Sequence, residues 1–167
     1  MKHLWRFFAG VDTTQTTQTM SIYSTPVVVY ADGSFRNKKC GIGVYFPGDK
    51  SFSSREVSKV IDHHKLTNQV AELAACINAI EIAQEVGIQH LEVRTDSQYV
   101  VNSMSKWIHQ WKPKNWKKIG KNCDIENKDL IMKLDDLCAS TKVDWVHIPR
   151  NANKKANDLA QKATKHL

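Results

Sequence analysis

Three carboxylates in this chain occupy three different settings. Asp32 ends the run Val27-Val28-Val29-Tyr30-Ala31, Glu72 lies one turn into a helical pattern that opens at Asn68, and Asp96 ends the alternating segment Leu91-Glu92-Val93-Arg94-Thr95. A strand end, a helix and a second strand end could bring three oxygen donors to one point, and such a set reads as a metal site. Spacing alone leaves open that the three are unrelated surface charges.

The elements that must position them follow an orderly pattern. Residues 27–31, 42–47 and 52–59 are strand candidates, the first two joined by a turn-rich segment from Gly33 to Gly41, and three consecutive strands suggest an antiparallel meander. Residues 68–86 place Val70, Leu73, Ile77, Ile80 and Ala83 at three- and four-residue spacing, with Gly87 as the stop. A helix-linked return to strand 91–95 implies a parallel neighbour. Short helices from Ser97 to His109, a basic stretch, a helix at about 127–139, a strand at 143–147 and a helix after Asn151 complete the chain. The pattern predicts an α/β fold: a five-stranded mixed sheet, three antiparallel strands then parallel additions, with helices on both faces. We read residues 26–167 as one domain carrying a basic protrusion at about 106–122.

The 167 residues carry a net charge of +7, which favours a polyanionic partner without separating nucleic acid from an acidic membrane surface. No run reaches the roughly 18 apolar residues of a membrane span. The four cysteines, Cys40, Cys76, Cys123 and Cys138, show no CxxC pairing, so reduced structural thiols inside a cell are expected. Residues 1–25 stand apart: Met1 to Gly10 is basic and apolar, and the segment reads as a flexible extension or a targeting segment, with Met20 as an alternative start. The nucleus and the mitochondrion are both compatible.

The context of each carboxylate is more specific. Asp32-Gly33-Ser34 with Gly41-Ile42-Gly43-Val44-Tyr45, Thr67-Asn68-Gln69 with Ala71-Glu72, Thr95-Asp96-Ser97 with Tyr99-Val100, and Trp107-Ile108 with Trp111-Lys112 stand in register over residues 26–165. Together they resemble ribonuclease H of type 1. The resemblance implies an RNase H-like fold that cuts the RNA strand of an RNA–DNA hybrid as a monomer, using two divalent cations, normally magnesium with manganese as a substitute. By similarity Asp32 would bridge both ions, and Glu72 and Asp96 would complete the leaving-group side.

The fourth ligand is the anomaly. The segment Asn153-Lys154-Lys155-Ala156-Asn157-Asp158-Leu159-Ala160 resembles the family's last helix in a short-loop subgroup without the mobile histidine, and puts Asn157 where an aspartate is usual. Asp158 is one residue along, a rotation of about 100° on a helix, so it should face elsewhere. Asn157 keeps an oxygen but loses the charge, which implies a weakened enzyme or a hybrid-binding protein. Outside this lineage stand a nonspecific basic nucleic-acid-binding module, with the carboxylates merely solvated, and an integrase relative, which leaves the Trp-Lys protrusion unexplained.

Substrate contacts follow from the same resemblance. Between Lys106 and Lys121 lie Lys112, Lys114, Lys117 and Lys118 with Trp107, Trp111 and Trp116 and no acid, matching the family's basic protrusion that grips the DNA strand. Trp111 and Tyr99 are expected to be exposed to that strand, while Trp107 and Trp111, four apart, could also be a hydrophobic pair. Asn68 and Gln69 match readers of the 2′-hydroxyl, although Asn68 could instead cap its helix. Lys65, Thr67 and Asn127 match a pocket for a DNA phosphate, and the turn Ser34-Phe35-Arg36-Asn37 is placed to reach the RNA backbone. His63-His64 lacks a partner pair at zinc-ligand spacing, and Gly41-Ile42-Gly43 lacks the rest of a dinucleotide fingerprint.

Overall fold

The computed structural model describes residues 25–48 and 53–165. The first 24 residues, and with them the extension or targeting segment, lie outside the described residues. Five strands form one sheet: β1 (Val27–Arg36), β2 (Lys39–Phe46), β3 (Arg55–Ile61), β4 (His90–Thr95) and β5 (Lys142–His147), in the order β3-β2-β1-β4-β5. β1 and β3 are antiparallel to β2, and β4 pairs parallel with β1 and β5. This is the mixed sheet expected from the sequence.

The segment Gly33 to Gly41 departs from its reading as a long turn. β1 runs on to Arg36 and pairs with Lys39, so only Asn37 and Lys38 turn the chain, at φ values of 52° and 57°. Two consecutive left-handed residues make a type I′ hairpin, whose twist matches that of the strands it joins. Lysine is a poor residue for the second position, which concealed the turn. Ser34, Phe35 and Arg36 are therefore strand residues, with Asn37 at the tip.

Helix α1 (Asn68–Glu85) ends as Gly87 predicts. Gly87 takes φ 79°, its N–H donates to Gln84, and the Ile88 N–H donates to Ala83, the paired bonds of a Schellman cap. Buried residues fall on most sides of α1, because it lies between the sheet and α4 (Lys128–Cys138). The short helices after Ser97 are one nearly continuous rod: α2 (Gln98–Asn102), a π-helical turn (Ser103–Trp107), α3 (Ile108–Trp111) and a 3-10 turn (Lys112–Lys114). A second 3-10 turn (Arg150–Ala152) leads into α5 (Lys154–Lys165).

The faces are fixed by glycine. Gly33 pairs with Ile42 on one face of the sheet, and a Cβ there would lie 2.2 Å from the backbone of Ala71 and Glu72, so α1 rests directly on β1. Gly43 pairs with Asp32 on the other face, where a Cβ would lie 2.0 Å from the Ala156 carbonyl oxygen of α5. Gly41, on that second face, meets Ala160 in the same way. The core between sheet, α1 and α4 holds Val29, Ile42, Val44, Phe46, Leu73, Ile80, Leu91, Ile131 and Leu134, all fully buried.

Because backbone cannot yield as a flexible side chain can, Gly43→Ala must push α5 away from the sheet. A loss of about 2–4 kcal/mol is expected, read as a lower urea midpoint with the slope unchanged; an unaltered midpoint would mean that α5 does not sit this close.

Candidate metal and nucleic-acid site

The glycine beside Asp32 and the glycine opposite it let two helices converge on one strand residue. The parallel register Val27–Leu91 to Tyr30–Arg94, carried two residues further, sets Asp32 level with Asp96. Asp32 is 6% exposed, and Glu72 and Asp96 are half-buried. Burial, with Asp96 next in effect, pushes the Asp32 carboxyl up to about 7, against the opposing pull of the Gly33 N–H and Arg150. Burial also raises Glu72, offset in part by the Ser97 hydroxyl that donates to its Oε2.

Two asparagines complete the cluster differently. Asn153 is fully buried, and its Nδ2 donates both to the Ala31 carbonyl at 3.1 Å and to Asp96 Oδ1 at 2.8 Å. It thereby ties β1, the turn after β4 and the start of α5 together, and its Oδ1 is buried with no hydrogen-bond partner among the described residues. Asn157 is half-buried, and its Oδ1 accepts from Arg150 Nη2 at 3.0 Å and from Gln161 Nε2 at 3.2 Å. Asp158 is exposed. Arg150, Ser97 and Asn153 received no role from the sequence reading. Asn153 and Ser97 lie inside quoted motifs, whereas nothing in the sequence marks Arg150.

The donors are hard oxygens, and burial first, with repulsion from Asp96 behind it, disfavours the ionised forms of Asp32 and Glu72 when no cation is bound. Such a set fits a divalent cation of the magnesium type. Among the described residues, however, the group of three whose ligand atoms all lie within 4.8 Å is His63, His64 and Asp129. Asp32, Glu72 and Asp96 stand further apart. The sequence reading gave His63-His64 no partner; the fold supplies one from α4, 66 residues beyond His63.

The nucleic-acid candidates fall into two groups. Near α1, the Thr67 hydroxyl accepts from the Val70 N–H at 3.2 Å, so Thr67 is the helix cap and Asn68 is not; Asn68 Oδ1 accepts from the Phe35 N–H at 2.9 Å. Asn127 adopts φ 53° just before α4, is buried, and donates to the Tyr99 hydroxyl at 3.1 Å and towards Gln69 Oε1 at 3.5 Å. Lys65 is exposed, and it adds to the larger effect of Lys118 in holding the Glu126 carboxyl below its usual range.

In the protrusion, Tyr99, Trp107 and Trp111 form a ladder with ring centroids 6.2 and 5.6 Å apart. Tyr99 and Trp111 are half-buried and pack against the edge of the core, so they are not the free surface rings expected from the sequence. They line a groove of about 420 Å³ with Lys118, Ile119 and Glu126 opposite. The lysines are also less free than a stretch without acids suggests. Lys112 pairs with Asp135 at 2.7 Å, Lys117 with Asp124 at 2.8 Å and Lys118 with Glu126 at 2.6 Å. Lys114 has no ion-pair partner among the described residues.

The raised Asp32 value carries a sign. The folded chain keeps this proton up to about pH 7, whereas the unfolded chain loses it near 4, so metal-free stability falls as pH rises from about 4 to 7. Asp32→Asn is expected to flatten that slope and to stabilise the metal-free protein at pH 8 by about 2–4 kcal/mol, as urea denaturation in a chelator would read. A variant no more stable than the parent at pH 8 would contradict the burial of this charge.

Comparison with known proteins agrees with this geometry. The RNase H family model matches residues 24–166. Ribonuclease H1 of Mus musculus is 32% identical over 88% of this chain, but the match covers 53% of the mouse protein, so this chain spans about half the length of such relatives. Ribonuclease H of Neisseria gonorrhoeae is 34% identical over 83% of this chain and 94% of its own. Among solved structures, LC11-RNase H1 in complex with an RNA/DNA hybrid superposes with a TM-score of 0.63 at 28% identity, covering 81% of this chain and 94% of that one. With the sheet order, the paired glycines and the gathered carboxylates already in place, these matches establish that the chain belongs to the RNase H family, type 1.

Proposed function

We propose that this chain hydrolyses the RNA strand of RNA–DNA hybrids with magnesium ions, and that Asn157 limits its rate. The observation that carries the reading is the mutual influence of Asp32, Glu72 and Asp96 beside Arg150, which also bonds Asn157, where Gly33 and Gly43 admit both helices. The hybrid-bound LC11 relative supports the choice of substrate. Asp32, Glu72, Asp96 and Asn157 would hold two ions. Bound cations would supply Lewis acidity and a lowered pKa for the attacking water in an in-line displacement at phosphorus.

The remaining roles belong to the chain. Ser97 fixes the rotamer of Glu72, and Asn153 does the same for Asp96. Arg150 places positive charge close to Asp32 and Glu72 and holds the Asn157 amide oxygen. Asn68 and Gln69 would read the 2′-hydroxyl, with Ser34 and Asn37 beside the RNA backbone. Thr67, Lys65 and Asn127 would take a DNA phosphate, and the Tyr99-Trp107-Trp111 groove would pack against the DNA strand.

A second reading rests on one contact. The Asn157 oxygen is already engaged by Arg150 and Gln161, which favours a chain that binds hybrid and cuts it slowly. Cleavage of an end-labelled hybrid in magnesium and in manganese separates the two. Asn157→Asp is expected to raise the magnesium rate by about a hundredfold or more. An unchanged rate would remove Asn157 from the metal site, and hybrid binding without cleavage by either form would favour the binding protein.

The lysine pairing generates an expectation of its own. Lys114→Ala should lower the slope of log affinity against log salt by about 0.7–0.9, and Lys118→Ala by less, because Glu126 already neutralises it. Fluorescence anisotropy with a labelled hybrid across a salt series would measure both, and equal slopes for the two variants would count against the assignment.

A further inference from the structure

We propose that His63, His64 and Asp129 form a second metal site, separate from the carboxylate centre, that takes a transition-metal ion of the zinc type. Their ligand atoms all lie within 4.8 Å of one another, and His63 Nε2 is 2.9 Å from Asp129 Oδ2. Two imidazoles and one carboxylate suit zinc, cobalt or nickel and are a poor match for magnesium, which prefers oxygen donors alone.

The surroundings of His63 admit both neutral tautomers of the ring, one of them ready for a metal. Its Nδ1 lies 2.8 Å from the Lys65 carbonyl oxygen. A proton on Nδ1 donated to that carbonyl turns the Nε2 lone pair towards Asp129, and two acceptors at 2.9 Å then require a cation between them. A backbone carbonyl on the far nitrogen is the usual orienting partner of a metal-bound histidine. The Lys65 N–H lies 3.1 Å from the same Nδ1; this pairing suits the opposite tautomer, in which Nε2–H donates to Asp129. Metal binding would exchange one tautomer for the other, the proton leaving Nε2 and a proton being taken up on Nδ1, where the Lys65 carbonyl accepts from it.

The ligands are held by separate parts of the fold. His63 and His64 lie in the loop between β3 and α1, their rings 4.2 Å apart at 37°, and Asp129 lies in the first turn of α4. The His63 side chain is 11% exposed and that of Asp129 53%, with His64 also exposed, so the site is anchored on one side and open to solvent on the other. Three protein ligands with an open position are a common zinc arrangement. The ion would tie the loop carrying Lys65 and Thr67 to the helix that follows Asn127.

The test is a cobalt(II) titration of the full chain in excess magnesium, which occupies hard-oxygen sites and leaves nitrogen sites free. One cobalt per chain is expected, with the visible d–d bands of a nitrogen-ligated ion, and zinc should displace it. His64→Ala and Asp129→Asn, both at exposed side chains, should each weaken cobalt binding by about tenfold or more while circular dichroism shows an unchanged fold. Absence of the bands would overturn the site and leave only the His63–Asp129 contact in its place. Bands that survive both substitutions would overturn it too, by placing the metal on other histidines. His63→Gln supplies the cross-check, since it must abolish the bands if the site is as described.

Discussion

The structure depends on two places where helix backbone touches strand backbone. At Gly33 and Gly43 the sheet has no side chain to hold a helix off, and the missing Cβ positions lie 2.2 and 2.0 Å from neighbouring main chain. Ordinary helix-on-sheet packing interposes a layer of side chains. Removing that layer on both faces around Asp32 lets Glu72 and the start of α5 reach the same end of β1. The site is therefore set by backbone contact, which is stiffer than side-chain contact and less tolerant of substitution.

That convergence concentrates negative charge in a poorly solvated place. Burial, more than mutual repulsion, is the larger cause of the raised Asp32 and Glu72 values, so the cluster is matched to a cation through desolvation as well as charge. The chain supplies partial compensation through Arg150, the Gly33 N–H and Ser97. Asn157 places a neutral amide beside Arg150 and so adds no further negative charge to this cluster.

The sheet, α1 with its Gly87 stop and the three carboxylates were legible because each has a local signal: β-branched runs, three- and four-residue spacing, a glycine past the helix end. What escaped the sequence was settled by partners that only the folded chain brings together. Lysines without a nearby acid meet Asp124, Glu126 and Asp135 once the protrusion folds back. His63 finds Asp129, and the Thr67 hydroxyl takes the cap that was the alternative role for Asn68, whose oxygen instead accepts from the Phe35 N–H. The Asn37-Lys38 hairpin escaped for a local reason, since its second residue is not the glycine that such a turn prefers. The rod after Ser97 looked broken because a π-helical turn shifts its apolar spacing midway.

The buried Asn153 amide joins the Ala31 carbonyl of β1 to a carboxylate at the end of β4 across 122 and 57 residues of sequence. Bonds of such separation close late, because the entropy of the long loop is lost before the contact is gained. On a ribosome, the strands and α1 emerge and collapse before Asn153 exists. A nascent chain of this protein thus carries Asp32, Glu72 and Asp96 well before the residue that holds the Asp96 carboxylate in place has been made.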